Sequence, residues 1–458
     1  MSRLFPRTGK NRQGDAKRMI PPALVRLTAA VLILALLAGC VEWLEPVFPG
    51  LFTPLPTSTL EGQITLTPVP EPSITPEPQP TFGGAITLTL WLPPQFDPAA
   101  DTPAGQLLQQ RLDAFMEENP GVLIHVRIKA PSGPGGLLES LTAAAAAAPA
   151  ALPSVVALNR GDLEAAALKG LIYPLEGVSE EIESPDWYPY ARQLSRVQDI
   201  PFALPIAGDA LMLFYRPASV GGSPPQTWQD VLAFGNPLLF AGDDPQAWLT
   251  LTLYRSLGGL VQDLQGRPAL QADLLQQVFE LYQEGARRGT FPQTVAQYQS
   301  GGQVWQAYLD GQADWAVTFA SFYLTDLPAD TAALLLPSLG GDDFTQATGW
   351  SLAIAEPDPQ RRQLAVALAE YLSAADFLAE WAVAAGYLPV HPTSLSGWQP
   401  VTLQNTLSRV VLSAQIRPSN EILASLGPAL RESSLAVLRN QASPAQAAQS
   451  SVEKLLAP

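Results

Sequence analysis

The sequence is poor in cysteine, histidine and charge. Its 458 residues include one cysteine, Cys40, so neither an internal disulfide nor a cysteine-ligated zinc or iron–sulfur site is expected. The two histidines, His125 and His391, have no partners at metal-ligand spacing, and we expect no metal or other cofactor. Charged residues make up only 15% of the chain, whereas hydrophobic residues make up 47%, enough for a large core. The length suggests two or three domains.

Charge is distributed unevenly along the chain. Residues 1–39 contain seven basic residues and one acidic residue, so the remainder carries −22 while the whole chain carries −16. Such an acidic surface repels phosphate backbones and anionic lipid, which argues against nucleic acid as a partner.

Motifs of catalysis are also missing. The sequence has no Gly-x-Ser-x-Gly elbow, and the Ser451/Lys454 pair near the end is typical of a solvated helix face. We therefore predict no enzyme activity. A glycan-processing enzyme stays open as an alternative, because paired carboxylates cannot be recognised in one sequence.

The N-terminal segment indicates export. Residues 1–26 are basic, residues 27–38 form an apolar run too short for a comfortable membrane span, and Leu37-Ala38-Gly39-Cys40 resembles a bacterial lipobox. We predict a signal peptide over 1–39 and a lipidated Cys40 that anchors the chain on the outer side of the cell membrane. An ordinary cleaved signal with a chance cysteine is the alternative.

A proline-rich segment follows this cysteine. Ten prolines lie between Pro46 and Pro80, interleaved with Thr, Ser and Glu. Such a composition cannot form a helix, so residues 40–84 are predicted to be an extended linker.

Alternating strands and helices begin near Ala85. Strands are predicted at 85–91, 122–129 and 154–158, with a helix that opens at Thr102-Pro103 between the first two. This β-α-β pattern predicts a doubly wound α/β sheet.

A second α/β unit follows "FALPIAGDALMLFYR". Strands are predicted at 313–319 and 349–355, and the helix over 274–282 is predicted to stop at Gly285. From Asp358 onward the pattern is nearly all helical. Two such units suggest two lobes with a cleft between them.

Aromatic residues are concentrated near strand ends and loops, where open α/β sheets bind ligands. They include Trp91, Trp228, Trp248, Phe319 and Trp350. Flat aromatic faces suit the C–H faces of sugar rings, although most tryptophans in a large protein belong to its core.

The order of these segments resembles the family 1 extracellular solute-binding proteins, which include the maltodextrin-binding receptors of ABC importers. The similarity is carried by "ITLTLWLPP", "LPSVVALNRGDLEAAALKGLIYPLEG", "WQAYLDGQADWAVTFASF" and "GWSLAIAEPDPQRRQLAVALAEYLSAADFLAEWAVAAGYLPVHPT". It implies a type II periplasmic-binding-protein fold whose lobes are joined by two or three crossings. The N-terminal lobe would comprise 86–207 and 353–395, and the C-terminal lobe 208–352 and 396–458.

The same resemblance implies positions for ligand contacts. Asn159 and Arg160 match a polar pair after the third strand, and Asp209 matches an acid in the first crossing. Trp91 and Gln95 would line the rim of the N-terminal lobe.

Further contacts are implied in the second unit. Tyr323 is the best match to a stacking aromatic, with Ser321 and Phe322 beside it, and Trp350 lies next to the return crossing. The sequence Ala-Ser-Phe-Tyr replaces the Gly-Trp turn that is usual in the family.

The implied function is that of a monomeric receptor. It would capture a solute, most simply a neutral sugar, by hinge closure and present it to the transmembrane subunits of an ABC permease. The alternative is a surface lipoprotein that uses the same fold as a sensor or adhesin.

Overall fold

The computed structural model describes residues 85–220 and 222–456. The predictions for the basic leader, for Cys40 and for the proline-rich segment fall outside these residues. Within them, no helix has both the length and the apolar character of a membrane span.

A mixed sheet of nine strands runs through the described part of the chain, in the order β2-β1-β3-β10-β6-β8-β7, with β9 paired to β6 and β11 to β10. A separate small hairpin is made by β4 and β5. The strands are β1 (Ile86–Leu92), β2 (Val122–Ile128), β3 (Val155–Asn159), β4 (Arg196–Val197), β5 (Ile200–Pro201), β6 (Ala203–Tyr215), β7 (Leu238–Leu239), β8 (Trp315–Phe319), β9 (Ala332–Leu335), β10 (Thr345–Ile354) and β11 (Ala414–Ile416).

Two long strands connect the two halves of this sheet. Residues 203–210 of β6 pair with β10, whereas residues 211–215 pair with β8 and β9. In β10, residues 350–354 pair with β3 and residues 345–347 pair with β11. We call β1, β2, β3 and residues 350–354 of β10 the first half-sheet. The second half-sheet comprises β7, β8, β9, β11, residues 211–215 of β6 and residues 345–347 of β10.

Helices cover both half-sheets. They are α1 (Pro103–Glu118), α2 (Leu137–Ala147), α3 (Arg160–Leu168), α4 (Pro189–Leu194), α5 (Trp228–Phe234), α6 (Trp248–Ser256), α7 (Ala272–Arg288), α8 (Gly301–Leu309), α9 (Ala320–Asp326), α10 (Pro359–Ser373), α11 (Ala375–Ala385), α12 (Val401–Ser413), α13 (Asn420–Leu438) and α14 (Pro444–Leu456).

Local sequence signals explain several of these bounds. The Thr102 side chain accepts a hydrogen bond from the Gly105 N–H, and Pro103 occupies the first helical position, as predicted for the start of α1. The predicted strands β1, β2, β3 and β8 are confirmed within two residues at either end. The C-terminal region is helical as predicted, apart from the short strand β11.

The predicted stop of α7 at Gly285 is wrong. The helix continues to Arg288 and ends at Gly289, whose φ of 79° lies in the left-handed region. Gly285 is instead a packing residue, because a Cβ there would fall 2.2 Å from the Phe291 ring. The prediction took Gly285 for the end of the helix, whereas the Phe291 ring requires a glycine there.

The first half-sheet has a core on each face. Leu90 and Leu92 point toward Leu108 of α1, whereas the alternate residue Trp91 packs in the cluster that contains Leu137 of α2 and Leu163 of α3. Both faces of β1 are therefore covered, as expected of a strand in a doubly wound sheet.

Candidate ligand site at the carboxyl edge of the sheet

Polar and aromatic residues meet at the carboxyl edge of the first half-sheet. After β1, the 3-10 turn Pro94–Phe96 exposes Gln95 and buries Phe96. Asn159 ends β3, and Trp350 of the antiparallel strand β10 lies opposite it in register. Three of the predicted site residues, Gln95, Asn159 and Trp350, therefore lie at one edge of the sheet, where ligands bind in open α/β folds.

An aromatic group supports this edge. The Phe96 ring lies 5.6 Å from the ring of Trp350, 5.5 Å from that of Tyr387 and 5.1 Å from that of Trp381, centroid to centroid. Phe96 and Trp381 are buried, whereas Trp350 and Tyr387 remain partly accessible. The buried rings thus fix the positions of two partly exposed rings.

Tyr387 is a site residue that was not singled out in the sequence, although its loop "GYLPV" was. The next residue, Leu388, exchanges two main-chain hydrogen bonds with Gly208 of β6, of 3.0 and 2.9 Å. Gly208 is required there because a Cβ would fall 2.0 Å from the Tyr190 hydroxyl oxygen. This pairing places Tyr387 near Asp209.

Burial, and then the charge of Asp209, raise the pKa of Tyr387, while the Gln95 side chain acts in the opposite direction. The phenol therefore stays protonated at neutral pH and is able to donate a hydrogen bond. Gln95 and Asp209 therefore both lie close enough to the Tyr387 phenol to affect its pKa.

Asp209 has its carboxylate oxygens occupied by neighbouring groups. Oδ1 accepts from the main-chain N–H of Ser321 at 3.0 Å and of Ala210 at 2.9 Å, and Oδ2 accepts from the Ser321 hydroxyl at 2.6 Å. Burial raises the pKa of Asp209 to about 6, against the opposing effect of these hydrogen bonds. The structure brings Asp209 and Ser321 together, and the Asp209 carboxylate fixes the start of α9.

The aromatic residues after β8 divide into core and surface. The Tyr323 ring stacks on Phe214 at 5.1 Å and is only 8% exposed, so it offers no free face to a ligand. Phe322 is partly exposed and lies against Gly301 and Gly302 of α8. The stacking role assigned to Tyr323 therefore does not fit its position, and Phe322 is the better placed of the two.

Another aromatic pair lies at the same edge of the second half-sheet. The rings of Trp248 and Phe319 meet edge to face at 5.0 Å, and both are partly exposed. Trp248 begins α6, shortly after β7, which is parallel to β8. Trp228, by contrast, is fully buried and donates its indole N–H to the Pro337 carbonyl at 2.6 Å.

Asn159 and Arg160 begin α3. The Asn159 side chain accepts from the Asp162 N–H at 3.0 Å and donates to the Asp162 carboxylate at 2.9 Å, so it acts as a helix cap. Burial lowers the pKa of Arg160, partly offset by Glu164. Within the described residues, Nε and Nη1 of Arg160 are buried without a hydrogen-bond partner.

Trp91 does not lie on the rim predicted for it. It is 3% exposed, and the Lys129 ammonium group sits 4.7 Å from its ring centroid. Its ring belongs to the core between β1, α2 and α3. A ligand at the carboxyl edge would have no open ring face to contact there.

The described residues show no grouping of three or more His, Cys, Asp or Glu side chains suited to a metal ion. His391 is buried, with Nδ1 against the Asp186 carbonyl and Nε2 2.8 Å from the Ser373 carbonyl. It therefore ties two segments of main chain together. The edge offers partly exposed rings and hydrogen-bonding groups, which is an arrangement for binding.

Comparison with known proteins agrees with this geometry. Residues 110–404 match the family model described as bacterial extracellular solute-binding protein. The chain belongs to this family. No curated protein sequence matches the chain significantly.

Solved structures of other solute-binding proteins share the fold. They include the maltose-bound MalE3 of T. maritima, with 18% identity, a TM-score of 0.63, and coverage of 81% of this chain and 99% of that one. The cyclic α-maltosyl-1,6-maltose binding protein of Arthrobacter globiformis has 17% identity, a TM-score of 0.67 and coverage of 81% and 98%. A binding protein of Thermotoga lettingae bound to α-D-tagatose has 17% identity, a TM-score of 0.64 and coverage of 81% and 99%. The predicted two-lobed periplasmic-binding-protein fold is confirmed.

Proposed function

We propose that this solute-binding protein is the receptor of an ABC importer and that its solute is a sugar or an oligosaccharide. The observation that carries this proposal is the group formed by Gln95, Asn159, Trp350 and Tyr387 at the carboxyl edge. It combines partly exposed aromatic faces with uncharged hydrogen-bonding groups, which suits the two kinds of surface on a sugar ring. The sugars bound by the structural neighbours support the same class of solute.

Capture would occur by closure of two lobes. We assign 86–207 and 353–395 to the N-terminal lobe, and 208–352 and 396–458 to the C-terminal lobe. Strands β6 and β10 change partners between the half-sheets and would serve as two of the crossings. A solute held between Trp350 on one side and Phe322 on the other would favour the closed form, which the permease would then recognise.

Membrane attachment would come from Cys40. A lipidated cysteine followed by a proline-rich linker would keep the receptor at the cell surface as a monomer while letting it move. Replacement by serine (Cys40→Ser) should release the protein from the membrane fraction and block lipid labelling. Normal processing and retention of that variant would contradict the assignment.

Ligand binding is tested by thermal melts of the full chain against mono- and oligosaccharides. A bound sugar should raise the Tm progressively with concentration. Trp350→Ala should weaken binding of that sugar about tenfold by loss of one stacking face. Phe234→Ala is the matched control. It removes an exposed ring that contacts Trp315 at the first residue of β8, the end opposite the carboxyl edge.

The ligand assignment would be overturned if no sugar raised the Tm while a peptide or a polyamine did so. Equal loss of affinity in Trp350→Ala and Phe234→Ala would instead remove the carboxyl edge as the binding surface.

A further inference from the structure

A buried polar contact joins the two halves of the molecule away from the aromatic group. On one side is α3, which packs through Leu163 and Ala166 in the core of the first half-sheet. On the other is the start of α13, a helix that packs against α7 and α14. Thr290, the second residue after α7, accepts a hydrogen bond of 2.8 Å from the Leu238 N–H of β7, so α7 and the helix α13 packed on it belong with the second half-sheet.

Glu164 is the centre of this contact. It is 4% exposed, and its two carboxylate oxygens lie 2.9 and 3.1 Å from the main-chain nitrogen of Asn420. Asn420 is the first residue of α13, whose N–H has no partner inside the helix. A carboxylate at this end also interacts favourably with the helix dipole. Glu164 therefore caps a helix of the opposite half of the molecule.

The Asn420 side chain completes the contact. Its Nδ2 donates to the Gly161 carbonyl of α3 at 2.8 Å, and its Oδ1 accepts from the Arg417 guanidinium. Arg417 is 7% exposed, and its main-chain N–H donates to the Ala347 carbonyl of β10 at 3.1 Å. The guanidinium is thus held by the second half-sheet while it reaches toward α3.

The charges in this contact balance each other. Glu164 and Asp162 act electrostatically to raise the pKa of Arg417, whereas Arg160 acts to lower it. Burial lowers the pKa of Arg417 to about 10, with Glu164 acting against that change. Removing one charged partner while the contact stays buried would leave an uncompensated charge, so the contact depends on groups from both halves.

We propose that Gly161, Glu164, Arg417 and Asn420 form a lock, the α3–α13 lock, that stabilises the closed arrangement of the lobes without any ligand. The hydrogen bonds of the lock weaken steeply beyond 3.5 Å, so a modest rotation about β6 and β10 would break them. Interactions made only in the closed form shift the equilibrium toward it. Solute would then act on a receptor that already samples closure, and release would require the lock to open.

The lock is tested on ligand-free protein by pulsed EPR distances. Nitroxide labels would be placed at the exposed positions Gln110 of α1 and Gln277 of α7, in the full chain with Cys40→Ser so that no other thiol reacts. Protein with the intact lock should give mainly a short distance between the labels, as expected for closed lobes. Asn420→Ala should add a longer distance and raise the open-to-closed ratio roughly tenfold, as expected for loss of one or two hydrogen bonds to charged or buried partners.

Two further variants keep the test decisive. Asn119→Ala removes a local side-chain hydrogen bond of 2.9 Å, from the residue that caps the end of α1 to the Phe115 carbonyl, and should leave the distances unchanged. Glu164→Gln keeps an acceptor for the Asn420 N–H and provides a milder opening if Asn420→Ala folds poorly.

The proposal fails if Asn420→Ala and Glu164→Gln melt at lower temperature but keep the distance distribution of the parent, because the contact would then be a static part of the fold. It fails equally if the parent protein already shows mainly the long distance. Since no solute is present in the experiment, neither outcome depends on the sugar assignment.

Discussion

Two carboxylates in this protein, Asp209 and Glu164, are buried and accept hydrogen bonds from the first turn of a helix. Asp209 binds the start of α9 through Ser321, and the lobe division proposed above puts both residues in the C-terminal lobe. Glu164 binds the start of α13 through Asn420, and its partners belong to opposite halves of the molecule. The chemistry is alike, but in the proposed lobe division the first contact lies within one lobe, whereas the second joins the two lobes and would be lost if they separated.

This difference separates two effects that are easily confused. Changes at Asp209 should alter the free energy of unfolding and leave the lobe equilibrium alone. Changes at Glu164 should alter the lobe equilibrium more than the stability. Stability and lobe equilibrium can therefore be measured on the same variants, with one quantity as the reference for the other.

The largest effect is expected in the pH dependence of stability. The folded-state pKa of Asp209 is about 6, above its ordinary value of 3.8, so the folded protein binds more protons than the unfolded chain between these values. Stability should therefore fall as pH rises from about 4 to about 6, by about 3 kcal/mol from this group. Asp209→Asn should remove this fall, as measured by urea unfolding at each pH.

Asp310→Asn, at an exposed carboxylate, provides the control for that titration and should retain the fall. If the unfolding free energies of Asp209→Asn and the parent ran parallel from pH 4 to pH 7, burial of Asp209 would have no energetic consequence. The EPR distances should be the same in all three proteins.

The next effect comes from the donor. Ser321→Ala removes the hydroxyl that donates to Asp209 at 2.6 Å and should lower the free energy of unfolding by about 2 kcal/mol at neutral pH, because the acceptor is ionised there. The loss should shrink at pH 4, where Asp209 is protonated. A loss that is equal at both pH values would show that the hydroxyl matters for packing alone.

The sequence predicted much of this fold because the signals are local. The signals at Thr102 and Pro103 determine the start of α1 within a few residues. The apolar residues of β1 and β3 likewise mark each strand locally. The end of β3 was predicted to within one residue, at 158 instead of Asn159, which lies at the carboxyl edge of the sheet. The bounds of a helix or strand depend on neighbouring residues, and so they can be predicted from a single sequence.

The facing of side chains was harder to predict. β1 is covered on both faces, so its pattern does not tell which side Trp91 occupies, and this ring proved to lie in the core. Tyr323 and Phe322 are adjacent aromatics on α9, and only the contact with Phe214 decides that Tyr323 is the buried one. Such assignments depend on the packing of distant elements.

Contacts between distant segments could not be predicted at all. Tyr387 reaches the site because Leu388 pairs with Gly208. The Glu164–Asn420 contact joins residues 256 positions apart, with no motif on either side. Both depend on the completed fold, which explains why the aromatic edge was partly foreseen and the α3–α13 lock was not.

Glu164→Gln gives the third effect and is the counterpart of Ser321→Ala. Glutamine still accepts from the Asn420 N–H but lacks the negative charge beside Arg160 and Arg417. We therefore expect the free energy of unfolding to fall by about 1 kcal/mol. The open population should rise in this variant and stay constant in Ser321→Ala. Identical EPR distances in the two variants would remove the distinction between the carboxylates.

The smallest effect, and the sharpest separation, is expected from Gly161→Ala. The added Cβ would lie 2.7 Å from Nη2 of Arg417, the flexible end of a long side chain, so the guanidinium must move aside. Alanine suits the helical backbone of α3 better than glycine and should raise the free energy of unfolding by about 0.5 kcal/mol. The same change should raise the open population, because the displaced Arg417 no longer supports Asn420. A rise in the open population without a matching fall in the free energy of unfolding would separate the lock from a static contact, whose loss would lower stability and leave closure unchanged.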